Sequence, residues 1–336
     1  MKEFYLLDNK VKQGIFEQIS AQSAIPAYAV EKDWWVVQTL RLIFQMEIAP
    51  NIIFKGGTSL SKSWNIIDRF SEDIDLALDR SYLGFEQDLS KTQVRKLRKE
   101  SFRFISEEFY PALAKLFMES GFDDAAVKLR EPKSSDQDPL IIEIYYPVVT
   151  KQSAYVEPRV LVELGSRSLR EPNTQCKITS LVSEFFPDKE FADSPITITT
   201  VNPERTFLEK IFLLHEEFQK PIDKIRINRM SRHLYDIERL MRTDFYNIVL
   251  INKDLYQDIV NHRKSITAIR GIDYSQHQPN TINLIPPEER IDEWESDYAE
   301  MCETMIYGEK LSFKELMSRI SLLNKQINDL EWLIDI

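Results

Sequence analysis

The chain has 336 residues, of which 43% are hydrophobic and 29% charged, and its formal net charge is −11. This length predicts one large or two smaller domains, and the composition supports a packed core rather than disorder. The negative charge argues against a general nucleic-acid coat protein, which needs broad positive potential. The negative charge does not exclude an enzyme that binds a nucleic acid at one local basic surface.

Cysteine content and hydropathy indicate a soluble cytoplasmic protein. Cys176 and Cys302 are too few and too far apart for a disulfide framework or a zinc site. Neither an apolar signal segment nor an apolar run of about 18–20 residues is present, so no membrane association is expected.

Hydrophobic periodicity predicts the elements of the first 200 residues. Helical spacing covers residues 1–46, 58–67 and 91–119. Short apolar or alternating runs predict strands at 51–54, 73–78, 141–149 and 160–164. The order is therefore helical at first and then mixed α/β.

The pattern changes after a stretch with three prolines and little periodicity at 171–195. Asn202, Pro203 and Glu204 together predict a helix start, with an N-cap, a proline at the first helical position and an acid in the first turn. Most of the remaining chain reads as helices, apart from a loop near 271–288. We therefore predict two domains, at 1–195 and 196–336.

A glycine pair follows the predicted strand that ends at Phe54. Gly56 and Gly57 precede two hydroxyl residues and a helix, so backbone N–H groups of the turn can approach an anion. Thr58 and Ser59 can donate hydrogen bonds to phosphate oxygens. This turn is a candidate triphosphate site.

Acidic side chains follow on two strands. With a period of two, Asp73 and Asp75 point to the same face of their strand, where their charges repel each other. Glu163 is the one acid inside an apolar strand, and such an acid needs a partner. Hard oxygen ligands suit Mg²⁺, and two such ions can stabilise the oxygens of an in-line displacement.

Five stretches of this sequence resemble the AbiEii/AbiGii-type toxin nucleotidyltransferases of the DNA polymerase β-like superfamily. They are the runs KGGTSLSK at 55–62, RFSEDIDL at 69–76, LVELGSR at 161–167, and PERTFLEK at 203–210 with RHLYDI at 232–237. The third acid is a glutamate here, Glu163, rather than an aspartate, and either residue can bind Mg²⁺.

The resemblance implies an α+β fold, with a small mixed sheet flanked by helices as the polymerase β-like core, followed by a mainly helical C-terminal domain. It implies transfer of a nucleoside monophosphate from an NTP, with release of pyrophosphate, to an acceptor that in several members is the 3′ end of tRNA. Such proteins are typically toxins of type IV toxin–antitoxin or phage-abortive systems that block translation, with a DNA-binding regulator as the antitoxin.

By the same resemblance, residues are assigned roles. The residues implied in catalysis are Asp73, Asp75, Glu163, Lys210 and Asp236. The first three would hold Mg²⁺, with Mn²⁺ as an alternative. The residues implied in binding the NTP are Gly56, Gly57, Thr58, Ser59, Lys62 and Arg69.

The residues themselves leave some alternatives open. Lys210 lies in an apolar helix, where a lysine either snorkels or meets an anion. Asp236 can pair with Arg232 four residues earlier. Arg69 can contact phosphate or pair with Glu72.

Two groups of basic residues could hold a tRNA backbone or could be solvated helix faces. They are Lys91, Arg95, Arg98, Lys99 and Arg103, and Lys220, Lys224, Arg226, Arg229 and Arg232. Two competing functions remain: a non-catalytic relative that binds nucleotide or RNA, and an NTP-dependent phosphotransferase. The second lacks support, because neither a Walker pattern nor a kinase catalytic loop is present.

Overall fold

A computed structural model of the chain describes residues 2–71, 73–86, 89–151, 157–168 and 170–335. The chain divides into two units, one of residues 1–64 and 70–201 and the other of residues 65–69 and 202–336. The division predicted from sequence, at 195 and 196, stays a prediction.

The first unit is organised around a seven-stranded mixed sheet. The strands are β1 (Ile52–Lys55), β2 (Asp73–Leu78), β3 (Ala126–Leu129), β4 (Leu140–Tyr145), β5 (Arg159–Gly165), β6 (Asn173–Ile178) and β7 (Ile196–Val201). Their order is β3-β4-β5-β2-β1-β7-β6. The β1–β7 and β2–β5 pairs are parallel and the others antiparallel. The central strands β2 and β1 are therefore flanked on both sides.

Helices of the first unit supply its core. They are α1 (Lys2–Tyr5), α2 (Asn9–Ser23), α3 (Ala27–Ile43), α4 (Gly56–Lys62), α5 (Lys91–Phe104), α6 (Tyr110–Glu119) and α7 (Leu181–Phe185). Asp8 caps α2 by accepting a hydrogen bond from the Lys10 N–H, as the N-cap of a helix should. Trp34 and Trp35 on α3 pack against Phe122 in a buried aromatic cluster.

The second unit is helical in its described residues, apart from short 3₁₀ and π turns and loops. Its helices are α8 (Pro203–Phe218), α9 (Ser231–Met241), α10 (Phe245–Ile251), α11 (Lys253–His262), α12 (Ile291–Thr304) and α13 (Phe313–Asn328). Asn202 is the N-cap of α8 and Pro203 its first residue, as predicted. The predicted loop near 271–288 contains only short 3₁₀ turns.

The architecture confirms the predicted fold class, a mixed sheet flanked by helices and followed by a helical region. Three strands and one short helix were missed: β3, β6, β7 and α7. The predicted helix at 58–67 is α4 at Gly56–Lys62, and Asn65 beyond it takes a positive φ of 53° that breaks helical geometry. No helix in the described parts of the chain combines the length and apolarity needed to cross a membrane.

Candidate active site

Three acidic side chains share one face of the sheet. Along β2, Ile74 and Leu76 are buried, whereas Asp73 and Asp75 are partly exposed on the opposite face. Asp75 is the register partner of Glu163 on the parallel strand β5. Because neighbouring strands lie about 4.8 Å apart and register partners face the same way, the structure brings all three carboxylates into one row.

The charges in this row affect one another. Burial, together with the charges of Asp75 and Asp73, raises the pKa of Glu163 to about 7, while Lys55 and Arg130 act in the opposite direction. Neighbouring carboxylates whose charges repel one another in this way are stabilised by a shared proton or by a bound cation.

Lys55 lies beside the row of carboxylates, and the sequence-based prediction assigned it no role. It is the last residue of β1 and the register partner of Asp75, so its side chain starts on the acidic face. The alternation from Ile53 could have indicated this position, because residues two apart on a strand share a face.

Gly56 is required where β1 turns into α4. Its φ is +79°, and a Cβ atom built there would lie 2.0 Å from Asp75 Oδ2. Only glycine adopts this conformation without strain, and only glycine leaves room for the carboxylate. The predicted glycine turn therefore lies directly against the second aspartate.

The hydroxyl groups after this turn bind the protein's own backbone. Thr58 is buried, and its hydroxyl lies within hydrogen-bond distance of the Asp73 carbonyl (2.5 Å) and the Ser71 hydroxyl. The Ser59 hydroxyl, also buried, donates to the Gly56 carbonyl at 2.8 Å. Thr58 thus ties α4 to the start of β2, and side-chain contacts from either residue to phosphate stay a prediction.

Lys62, predicted to bind the nucleotide, lies in an ion pair at the end of α4. Its Nζ atom is 2.7 Å from Asp33 Oδ1, and both side chains are about nine-tenths buried. Asp33 also accepts a hydrogen bond from the Leu181 N–H. The nucleotide role of Lys62 stays a prediction beside this structural one.

A second group of predicted residues meets within the helical unit. Asp236 on α9 is fully buried and accepts two hydrogen bonds from Arg69, at 2.6 and 2.7 Å. Lys210 Nζ on α8 lies 2.8 Å from Asp236 Oδ2, which also accepts one of the two hydrogen bonds from Arg69. The structure therefore brings Arg69, Lys210 and Asp236 together.

Electrostatics keep this group ionised. Burial disfavours the charged form of Asp236, but the adjacent Arg69 and Lys210 outweigh it and hold the pKa of Asp236 well below its usual range. Burial lowers the pKa of Lys210, and the Asp236 charge opposes that effect. The weighed alternative partner of Arg69, Glu72, lies outside the described residues.

The acid row fits a divalent cation in the chemistry of its donor atoms. Three carboxylates on adjacent strands supply the hard oxygen donors that Mg²⁺ prefers. Within the described residues no three acidic, histidine or cysteine side chains converge closely enough to complete a metal site. Residues Asp73, Asp75 and Glu163 would hold the ion, and the metal assignment stays a prediction.

A mixed sheet with a glycine turn set against a row of carboxylates defines the nucleotidyltransferase class that the sequence motifs resemble. The family model of the nucleotidyl transferase AbiEii toxin of type IV toxin–antitoxin systems matches residues 40–319. The chain belongs to this family. Membership implies an NTP substrate and an antitoxin partner.

Comparisons with other proteins add two solved structures. A protein of H. pylori provisionally assigned as a nucleotidyltransferase has 14% identity, with 87% of this chain and 92% of that chain covered and a TM-score of 0.39. JHP933 from Helicobacter pylori also has 14% identity, covering 86% and 94% with a TM-score of 0.32. Comparison with curated proteins finds no significant match.

Proposed function

We propose that this toxin is a Mg²⁺-dependent nucleotidyltransferase that transfers a nucleoside monophosphate from an NTP to the 3′ end of tRNA and so blocks translation. The observation that supports this most is the row of Asp73, Asp75 and Glu163 beside the glycine turn at Gly56. A DNA-binding regulator is the proposed antitoxin.

In the proposed reaction the 3′ hydroxyl oxygen of the acceptor bonds to the α-phosphorus of the NTP as the bond to pyrophosphate breaks. The hydroxyl proton leaves with a base or water, and pyrophosphate departs. Bound Mg²⁺ would supply charge stabilisation to the attacking and leaving oxygens. Asp73, Asp75 and Glu163 would hold it.

The triphosphate would lie at the turn between β1 and α4. The Thr58 and Ser59 hydroxyls already interact with backbone carbonyls, so we assign the phosphate contacts to backbone N–H groups of the turn at 56–59. Lys210 and Arg69 are proposed to offset phosphate charge. Asp236 touches both cations, and we therefore propose that it positions them rather than contacting substrate.

The test is incubation of the protein with Mg²⁺, total tRNA and each NTP labelled in turn at the α- or γ-phosphate. Entry of α-label into RNA supports nucleotidyl transfer. Entry of γ-label would instead identify a phosphotransferase, and binding without transfer a non-catalytic relative.

A matched pair of variants completes the test. Asp75→Asn should abolish transfer and relieve growth arrest on induction in a host cell. Asp79→Asn, one residue beyond the same strand, should retain transfer, because Asp79 pairs with Arg170 outside the acid row. Equal transfer by both variants would refute the metal assignment.

A further inference from the structure

Helix α5 is unusually basic for this acidic protein. Six of its 14 residues are Lys or Arg. Leu97, Ser101 and Phe104 are buried on one side. Lys91, Arg95 and Lys99 follow one another at i, i+4 spacing and are exposed. The result is a ladder of positive charge, which we call the basic ladder, with steps of about 6 Å.

The basic ladder has no internal compensation. Across the described parts of the chain, none of Lys91, Arg95 and Lys99 has an acidic partner within ion-pair distance, although Arg103 on the next turn pairs with Glu100 at 3.0 Å. Like charges at i, i+4 destabilise a helix by about 0.2–0.5 kcal/mol per pair. An anionic ligand along the ladder would remove this repulsion.

A buried carboxylate ties α5 to the strand that carries Glu163. Asp138 is buried and accepts hydrogen bonds from the Ser166 N–H at 3.1 Å, the Ser166 hydroxyl at 3.2 Å and the Ser101 hydroxyl of α5 at 3.4 Å. A Cβ atom at Gly165 would lie 2.3 Å from Asp138 Oδ1. The sequence Gly165-Ser166 at the end of β5 thus forms a clamp for Asp138.

A second contact holds the same helix. The Arg98 guanidinium donates to the Asp136 carbonyl at 2.9 Å and lies 3.4 Å from its carboxylate. Since Ser166 is three residues from Glu163, the ladder is held at a fixed offset from the third carboxylate.

We propose that the basic ladder binds the phosphate backbone of a polynucleotide acceptor, and that the Asp138 clamp holds the ladder in a fixed position relative to Glu163. This inference rests on the proposed function, and it names the surface that binds the acceptor. Charge complementarity is its basis: three exposed cations in line suit consecutive phosphates, whose counterions are released on binding.

The experiment compares the Lys91→Glu/Arg95→Glu/Lys99→Glu variant with wild type in transfer to total tRNA. We expect the acceptor KM to rise at least 10-fold at low salt while the NTP KM stays unchanged. The slope of log KM against log salt should become shallower by about 2–3, because each lost phosphate contact removes about 0.7–0.9. Lys115→Glu on α6 is the control and should change neither value, because Lys115 lies outside the basic ladder and pairs with Glu119 four residues on.

Misfolding of the variant and failure of the proposed function can each be distinguished from failure of this inference. The three residues are exposed, so the melting temperature should be retained, and the matching Gln variant should match or exceed the wild-type value because repulsion is removed. Wild-type transfer with an unchanged acceptor KM and salt slope in the variant would overturn the inference but leave the proposed function intact. So would unchanged transfer with loss of antitoxin neutralisation, which would identify the ladder as a protein contact.

Failure of wild-type transfer would refute the proposed function, and fluorescence anisotropy with labelled tRNA would still decide the inference. Binding that is lost in the Glu variant and retained in Lys115→Glu supports it. Equal binding by all three proteins overturns it.

Discussion

Replacement of Gly56 by alanine tests whether the glycine turn and the acid row form one site. Two effects are combined at this position: the positive φ of +79°, and a Cβ atom 2.0 Å from Asp75 Oδ2. A matched substitution at Gly84 distinguishes the two effects, because Gly84 has the same φ of +79° but nothing within 4 Å of its Cβ position. A left-handed conformation costs a non-glycine residue about 1–2 kcal/mol, and both variants should lose this much stability.

Only Gly56→Ala should also lose activity. Ordinary contacts begin at 3.4 Å, so the Asp75 carboxylate must retreat by more than about 1 Å, a misplacement that can cost about 10²-fold in rate. Stability is measured by denaturant unfolding, and transfer by incorporation of α-label into tRNA. Gly84→Ala should retain near wild-type transfer. If Gly56→Ala also transfers within a few-fold of wild type, Gly56 does not position Asp75 for catalysis.

Of three further substitutions, two are expected to lower the free energy of unfolding and one to raise it. Asp236→Asn should destabilise the protein by about 3–5 kcal/mol in denaturant unfolding, because two buried cations lose their shared carboxylate; a neutral result would contradict the ionised triad. Glu163→Gln should stabilise the protein by about 2 kcal/mol at pH 8 in EDTA and leave it unchanged at pH 4. Because the pKa of Glu163 is raised from its ordinary value of 4.5 to about 7, wild type loses this stability as the pH rises through that range. Lys62→Met should lower stability by about 3 kcal/mol through the loss of its ion pair with Asp33 while leaving the NTP KM unchanged; a raised NTP KM at retained stability would instead support nucleotide binding.

Local patterns were sufficient for the elements that form the acid row. The strict alternation at 73–78 placed Ile74 inward and both aspartates outward, because the strand period of two depends only on neighbouring residues. The glycine pair indicated the turn for the same reason. The Asn202 N-cap and Pro203 likewise located the start of α8.

The pairing of strands that are distant in the chain could not be predicted from the sequence. Strand β6 lies in the stretch at 171–195 that shows little periodicity, and β7 follows directly after it, yet the two strands pair over six residues and extend the sheet. Their stability comes from pairing with strands that are distant in the chain, and a prediction made over a few neighbouring residues does not include such pairing. The short edge strand β3 was missed for the same reason.

Propensity and periodicity act over a few residues, so the sequence was enough to predict which residue types could bind a metal and a triphosphate and on which strand faces they lie. The partners of the charged side chains became evident from the folded structure. It paired Asp236 with Arg69, 167 residues away, and Lys62 with Asp33. The burial of each charged pair depends on the packing of elements that are distant in the chain, which no local pattern encodes.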